Sequence, residues 1–416
     1  MFLLPDLLSP HLLFMGNWKK TFAIIWSGQF MSILSSSIVG YAIMFWLSLE
    51  TQSAEVLAIS VVASLLPQGI LSLFVGVYVD RWDRKTVMIL ADSFIAACTL
   101  LLAILFWLGI AEIWHIYILQ ACRSVGSAFH LPAMQASVPL LAPPSALSRI
   151  AGVNQMIRSS SEIAGPVLGA VLIGLTGIGN ILVIDVVGAV LACTALAFVK
   201  IPNPEKKAEK ENLKREMKEG FTAITSKKGM VPLFIFSTLS WFFFMPVAVI
   251  FPLITLQHFG GEAFEMSLVE ISWGIGALLG GALIGLRTYR TNRISIVNIM
   301  YIILGAYFIS SGLLPSNGFV AFCVLTGIGG ASLSILNAMY ITTLQLHIEP
   351  AILGRVMSLS FGLSVIPSIT GLLGIGYIAE HIGITQTFVI AGIMNVLIGI
   401  CSFMLPNMMK LGKPKE

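Results

Sequence analysis

Several charged side chains of this 416-residue sequence lie inside long apolar stretches, among them Arg123, Arg158, Glu162 and Asp185. Arg158 and Glu162 are four residues apart, so on a helix they share one face and can pair. Because burial in a low dielectric disfavours the charged form of an acid, such an acid is suited to reversible protonation. Glu162 is therefore our first candidate for a side chain that carries a proton, with a permanent structural pair to Arg158 as the equal alternative. Asp185 has no basic residue in its own stretch and is the second candidate.

Arg123 lies near the middle of another apolar stretch. An arginine at the centre of a bilayer helix costs about 3 kcal/mol, so it must face protein or water. It needs an acceptor, and we expect it to stabilise a deprotonated carboxylate, either Glu162 or Asp185. An arginine that pairs structurally near the membrane boundary is the alternative.

A basic loop with the pattern GxxxDRxxRK follows the second apolar stretch. Its glycine permits close approach of another helix. Its first acid, Asp80, is expected to cap the next helix and to pair with an arginine. We also expect an arginine of the loop to pair with the first acid of the third stretch. Such charges can hold one conformation shut, whereas ordinary caps in a basic loop are the plainer explanation. The gating candidates are Gly76, Asp80, Arg81, Arg84, Lys85 and Asp92.

The fifth apolar stretch contains the pattern GPxxGA, formed by Gly165, Pro166, Gly169 and Ala170. A proline inside a helix removes one backbone hydrogen bond and kinks the helix, and small residues let a neighbouring helix approach. The pattern therefore predicts a kinked helix in close contact with another.

Aromatic residues are plentiful in the first and seventh stretches. Aromatic walls with a few acids suit large apolar cations through dispersion and cation–π contacts. Glu270, in the eighth stretch, is placed to receive a cationic group. For any single aromatic residue, a lipid-facing position is the plainer explanation. The candidates for a substrate cavity are Gln29, Phe30, Tyr41, Trp241, Phe244 and Glu270.

Membrane helices are the elements that must position these residues. Apolar residues make up 57% of the chain and charged residues 11%, against about 25% charged residues in soluble domains. Runs of about 20 apolar residues are long enough to cross a bilayer. We predict twelve such helices, at 20–48, 55–79, 86–108, 112–138, 149–175, 178–200, 231–257, 266–286, 294–313, 318–346, 352–379 and 384–408.

The chemistry of soluble enzymes and nucleic-acid binders is not expected. The net charge is only +4, and the basic residues lie between apolar stretches, which disfavours nucleic acid. The five cysteines are scattered without metal-ligand spacing, so no metal site is predicted. Neither a nucleotide-binding GxxxxGK[ST] pattern nor a hydrolase motif is present, which opposes an ATP-driven pump or an enzyme.

The polar segment 201–229 divides the stretches into six and six, which is the plan of a two-repeat secondary transporter. We therefore predict an all-α integral membrane protein with two six-helix bundles, at 19–200 and 230–409. The segment 201–229 is expected to be a cytoplasmic linker with an amphipathic helix. Residues 1–18 lack the features of a signal peptide and are expected to form a peripheral extension, and 410–416 a cytoplasmic tail.

The basic residues predict the orientation. With both termini in the cytoplasm, 22 of the 24 Lys and Arg residues fall in cytoplasmic loops or tails. The outside loops then hold acids and no basic residue, as the positive-inside rule requires. We expect a multi-pass protein of the bacterial plasma membrane.

These motifs resemble those of the major facilitator superfamily (MFS): its loop signature, its span-four arginine motif linked to proton coupling, and its antiporter signature GPxxGG. Asp83 stands where the loop signature usually has a small residue. Gly285 replaces the acid in the second copy of the loop, which implies charge gating on one side only. Longer stretches, among them SVVASLLPQGILSLFVGVYVDRWDRK, RSVGSAFHLPA and VEISWGIGALLGG, resemble the macrolide efflux proteins of this superfamily from about Asn17 to the last span.

The resemblance implies export of macrolides from the cytoplasm in exchange for protons by alternating access. It implies no cofactor, since the proton gradient supplies the energy. The partners expected are a small apolar or cationic substrate and membrane lipid, and the protein is expected to be a monomer. An exporter of a siderophore, lipid or other amphiphile on the same fold is the main alternative. An accessory ATPase stays compatible with the sequence, and a non-transporting membrane sensor is less favoured.

Overall fold

The computed structural model describes residues 18–79, 82–143, 146–199, 201, 213–285 and 291–412. Within these ranges the chain forms helices and contains no strand. The helices are α1 Trp18–Thr51, α2 Ala54–Val79, α3 Arg84–Trp107, α4 Ile113–Leu141, α5 Leu147–Thr176, α6 Ile178–Ala197, α7 Leu213–Thr225, α8 Met230–Gln257, α9 Ala263–Gly285, α10 Arg293–Leu313, α11 Phe319–His347, α12 Pro350–Ile382, α13 Ile384–Phe403 and α14 Pro406–Leu411.

The predicted all-α fold is confirmed, and each predicted span corresponds to one long helix. In the described part of the chain, eleven helices are long and apolar enough to cross a membrane. One further long helix, α4, is not among these eleven. It carries Arg123 and two histidines, which lower its apolar character. The last predicted span ends earlier than expected, at Phe403, because Leu405 adopts an extended conformation before Pro406.

The helices group into two compact units. The described parts of 1–43 and 63–208 form the first unit, and those of 44–62 and 209–416 form the second. Within the first unit α3 packs against α4 and α6; within the second, α10 packs against α11 and α13. The same order of helices thus makes the same pairs in each unit, as expected for an internal repeat.

Two local features recur at corresponding places. Gly177 separates α5 from α6 with φ 71°, and Gly383 separates α12 from α13 with φ 91°. These left-handed conformations favour glycine, because a Cβ would crowd the backbone there. Asp83 caps α3 and Asn292 caps α10, each side chain accepting backbone N–H bonds from the first turn.

The cap of α3 corrects one expectation. Asp83, rather than Asp80, is the N-cap: its Oδ1 accepts bonds from the Thr86 backbone N at 2.7 Å and from Thr86 Oγ1 at 2.6 Å. The acid that departs from the usual loop pattern therefore has a structural role. Asp80 lies outside the described residues.

Glycines bring α9 and α11 of the second unit together. A Cβ on Gly276 or Gly280 would collide with the backbone of Gly327 or Ala331 across the interface. Small residues of this kind let membrane helices gain close van der Waals contact. In the same unit the linker helix α7 contacts α12 through an ion pair between Glu219 and Arg355.

Candidate functional site

Asp185 of α6 is held by side chains from three other helices. Ser36 Oγ of α1 donates to its Oδ1 at 2.6 Å, and Thr99 Oγ1 of α3 donates to its Oδ2 at 2.9 Å. Arg123 Nη2 of α4 lies 3.0 Å from the same Oδ2. Asp185 is 1% exposed and Arg123 9%. We call Ser36, Thr99, Arg123 and Asp185 the Asp185 site.

Glycines near the two charges allow this close approach. Gly126 is three residues after Arg123 on α4, and a Cβ there would lie 2.7 Å from Ile95 Cγ1 and 3.3 Å from the Ala91 carbonyl oxygen of α3. Gly188 is three residues after Asp185 on α6, and a Cβ there would lie 3.0 Å from the Met31 carbonyl oxygen of α1. A side chain at Gly126 would push α4 away from α3, and one at Gly188 would push α6 away from α1, so either would disturb the packing around the ion pair.

A second polar cluster lies between the same helices. His130 Nε2 of α4 is 3.3 Å from Asp92 Oδ1 of α3. Gln29 Nε2 of α1 donates to Asp92 Oδ2 at 3.5 Å. Gln29 is fully buried and Asp92 is 4% exposed. We call Gln29, Asp92 and His130 the Asp92 site. We expected Asp92 to pair with an arginine of the loop; among the described residues its partners are His130 and Gln29.

The two sites repeat along three helices. Gln29 and Ser36, Asp92 and Thr99, and Arg123 and His130 are each seven residues apart on their helices. Seven residues are two helical turns, or about 10 Å along the axis. Our sequence analysis did not single out His130; the signal that was available is its position two turns after Arg123, on the same face.

The basic residues at the start of α3 bind backbone carbonyl groups. Arg84 Nη1 donates to the Ala136 oxygen near the end of α4. Lys85 Nζ donates to the Ala197 and Val199 oxygens at the end of α6, at 2.9 and 2.8 Å. Cations suit the carboxyl ends of helices, where carbonyl groups lack partners. Of the other gating candidates, Gly76 lies within α2, and Asp80 and Arg81 lie outside the described residues.

Arg158 and Glu162 are exposed on α5. Among the described residues they do not form an ion pair within 4.0 Å, although Arg158 is close enough to act electrostatically on Glu162. Glu162 is thus not brought into the Asp185 site, and the acid beside Arg123 is Asp185.

The GPxxGA segment of α5 packs closely on α1. A Cβ at Gly165 would collide with Ser37, and one at Gly169 would lie 3.2 Å from the Ile38 carbonyl oxygen. Ser37 Oγ also donates to the Ser161 carbonyl oxygen at 2.8 Å. Pro166 and Ala170 are buried in the same segment.

In the second unit, Phe244 belongs to an aromatic cluster. Its ring lies 5.4 Å from Trp241, 5.7 Å from Trp273 and 5.9 Å from Phe308. The aromatic cluster continues through Tyr307, Phe388, Phe322 and Phe259. Most of these rings are buried and form a packed core, whereas Trp241 and Trp273 are half-buried.

Glu270 lies at the edge of the aromatic cluster. It is half-buried and three residues before Trp273 on α9, so both side chains are on one face. Its carboxylate is close enough to act electrostatically on the hydroxyl of Tyr307. Of the remaining cavity candidates, Phe30 and Tyr41 are half-buried in the first unit, and Gln29 is enclosed in the Asp92 site.

No group of three or more His, Cys, Asp or Glu side chains in the described ranges has the geometry to hold a metal ion.

In the described part of the chain, twelve long helices in two repeated groups of six, with an ion pair buried between helices of the first unit, are the architecture of a transporter of the MFS fold. The solved structure of a bacterial homologue of the human lysosomal transporter Spinster superposes with a TM-score of 0.73 at 12% identity, covering 96% of this chain and 99% of that chain. At this identity the likeness concerns the fold.

The family follows from the sequence comparison. The model of a family described as transmembrane secretion effector matches residues 16–413, and the chain belongs to this family of MFS transporters. Macrolide efflux protein A of Streptococcus pyogenes is 36% identical over 95% of this chain and 98% of its own length. Macrolide efflux protein A of Enterococcus faecalis is 37% identical over 74% of this chain and 96% of its own length. The chain is a multi-pass transporter of the bacterial plasma membrane, and it is not an enzyme.

Proposed function

We propose that this transporter exports hydrophobic drugs, macrolide antibiotics first among them, from the cytoplasm in exchange for protons. The similarity to macrolide efflux proteins along nearly the whole chain carries this proposal. A macrolide of this kind is a bulky apolar molecule with an amine that can be protonated. Its recognition requires an apolar surface with an acid at its edge.

Glu270 with Trp241 and Trp273 supplies such a surface. Glu270 shares a helix face with the half-buried Trp273, and Trp241 belongs to the same aromatic cluster. A carboxylate near aromatic rings favours an organic cation through charge and cation–π attraction. The buried rings behind them hold both tryptophans in place. We assign the protonated amine of the substrate to Glu270.

The proton is assigned to a carboxylate of the first unit, Asp185 or Glu162. Asp185 Oδ2 lies 3.0 Å from Arg123 Nη2, and its contacts with Ser36 and Thr99 fix it in the packed helices. Coupling requires only that the proton and the drug favour different states of an alternating-access carrier. With both termini in the cytoplasm, an outside proton favours drug release and the deprotonated carrier takes up drug from inside.

Accumulation of radiolabelled erythromycin in a pump-deficient bacterial host tests this function. Cells that express the chain are expected to accumulate less erythromycin than cells with an empty vector, and a protonophore should abolish the difference. Asp185→Asn should behave like the empty vector. Glu380→Gln, which changes an exposed acid at the end of α12, is the matched control and should export like the wild type.

The alternatives give different results. Unchanged accumulation, with the protein present in the membrane, would contradict macrolide export and direct the search to siderophores, lipids and other amphiphiles. Export that persists when the proton gradient alone is collapsed would contradict proton exchange. Drug binding by the purified protein without net transport would indicate a sensor.

A further inference from the structure

We propose that the Asp92 site binds an exchanged proton of its own, in addition to the proton assigned to Asp185 or Glu162. The inference rests on the proposed proton exchange and adds a site that the sequence motifs do not mark. It assigns His130 and Asp92 jointly as the proton acceptor, with Gln29 as a neutral partner.

The geometry sets this site apart from an ordinary buried histidine. His130 Nε2 lies 3.3 Å from Asp92 Oδ1 but outside hydrogen-bonding geometry, and Gln29 Oε1 also has no hydrogen-bond partner. Both atoms are buried, and an unpaired buried polar atom is costly. Arg123 Nη1, two turns away, is also buried without a hydrogen-bond partner. Groups held in this way can change partners when a proton arrives or leaves.

The charges of the two sites differ in a way that favours a proton at Asp92. Arg123 is permanently charged, so the Asp185 site is neutral when its carboxylate is deprotonated, and a proton would make it positive. His130 is neutral without a proton, so the Asp92 site is then negative, and a proton makes it neutral. Net charge is costly in a low dielectric. A proton removes a net charge at the Asp92 site, whereas it would create one at the Asp185 site.

The groups around the site fit this assignment. Cys193 of α6 interacts electrostatically with Asp92, and its Sγ lies 3.8 Å from Ser93 Oγ. Arg84, eight residues before Asp92 on α3, is bonded to the Ala136 oxygen. Arg123 and Asp185 lie two turns away and already form an ion pair with each other. From α2, the contact recorded with α4 is the neutral bond from the Gln68 backbone N to Ser124 Oγ at 3.0 Å.

The first experiment counts exchanged protons in everted membrane vesicles with the membrane potential clamped. The logarithm of the steady-state macrolide accumulation ratio is plotted against the imposed pH difference, and its slope gives the number of protons exchanged per drug. His130→Gln and Asp92→Asn should each lower the slope by about one proton and the accumulation ratio by about fivefold or more. His347→Gln is the matched control: His347 lies on α11, where its Nδ1 contacts the Thr343 oxygen of its own helix at 2.9 Å.

The second experiment does not depend on transport. In the purified full-length protein labelled with ¹⁵N-histidine, the imidazole signal lost in His130→Gln should titrate with pH. Asp92→Asn should shift its midpoint by at least about one pH unit, equivalent to about 1.4 kcal/mol of lost interaction. The titration midpoint of the His347 signal should be the same in Asp92→Asn as in the wild type.

The two experiments separate the possible failures. A wild-type slope above zero that His130→Gln leaves unchanged would overturn the Asp92 site and leave proton exchange intact. A wild-type slope of zero would overturn proton exchange, and the titration would then decide the site. A His130 signal that does not titrate, or that titrates independently of Asp92, would show a fixed structural contact and overturn the inference.

Discussion

At the scale of single residues, Asp185 supplies the anion that Arg123 needs, because an unpaired arginine inside a membrane span is costly. Sequence reasoning showed that Arg123 needs an acceptor but left Glu162 and Asp185 open, since spacing along the chain does not tell which helices face each other. In the structure Arg123 forms an ion pair with Asp185, and Glu162 lies on an exposed face of α5. The two acids therefore differ in the effect that their neutralisation should have.

Asp185→Asn is expected to lower stability strongly, because it leaves the buried charge of Arg123 without an anion. Removing one partner of a buried pair costs about 3–5 kcal/mol, whereas Thr99→Val removes one hydrogen bond to the carboxylate, worth about 1.5–3 kcal/mol. Thermal unfolding of the purified protein, followed by tryptophan fluorescence, compares the variants. Asp185→Asn combined with Arg123→Met should melt closer to the wild type than Asp185→Asn alone. Equal melting of Asp185→Asn and Thr99→Val would contradict the importance of the pair.

Glu162→Gln is expected to leave folding and drug binding intact, because Glu162 is exposed and outside ion-pair distance of Arg158. If Glu162 carries the coupling proton, this variant loses the pH dependence of export while its melting temperature stays the same. Export over a series of external pH values, with Arg158→Gln measured alongside, is the test. If export by Glu162→Gln responds to pH as in the wild type, Glu162 does not carry the coupling proton, and the proton is assigned to the Asp185 and Asp92 sites.

At the scale of elements, glycines determine which helices approach closely. The GPxxGA segment predicts a kinked helix in close contact with another helix. In the structure Gly165 and Gly169 contact α1, so α1 is that other helix. The sequence does not identify α1 as this partner. The pairing of α3, α4 and α6 around the Asp185 site is also invisible in the sequence, because it depends on side chains from distant helices.

Two glycines of α5 offer a matched comparison. A Cβ at Gly165 would collide with Ser37, whereas a Cβ at Gly174 meets no atom within 4 Å. Gly165→Ala should destabilise the protein by about 1–3 kcal/mol through overpacking. Gly174→Ala should change its stability by less than about 1 kcal/mol, as expected for an open helical position. Melting temperatures in detergent report the difference, and equal values would show that α1 and α5 separate without cost.

At the scale of the whole molecule, most of the fold could be predicted from the sequence. Bilayer thickness sets the length of an apolar run, so the twelve predicted spans each match a long helix. The ends were less predictable: Leu405 breaks the last span before Pro406, and α4 is too polar to be counted with the other eleven. Two of the polar side chains that weaken the signal of α4, Arg123 and His130, belong to the two sites.

The predicted orientation can be tested by labelling. Ile110 is exposed between α3 and α4, and Ser226 is exposed just after α7. With both termini in the cytoplasm, a membrane-impermeant maleimide should label Ile110→Cys in intact cells and label Ser226→Cys only after lysis. The wild type, with its five unpaired cysteines, gives the background. The reverse pattern would invert the topology and the direction of transport.

The ion pair between α4 and α6 also has a consequence for biosynthesis. Arg123 precedes Asp185 by about 60 residues, so at about 5–20 residues per second the ribosome makes the acid several seconds after the arginine. During this interval α4, which is not among the eleven helices apolar enough to cross a membrane, reaches the insertion machinery with a charge that has no partner. We therefore expect stable membrane insertion of the first unit to be complete only when Asp185 has been made.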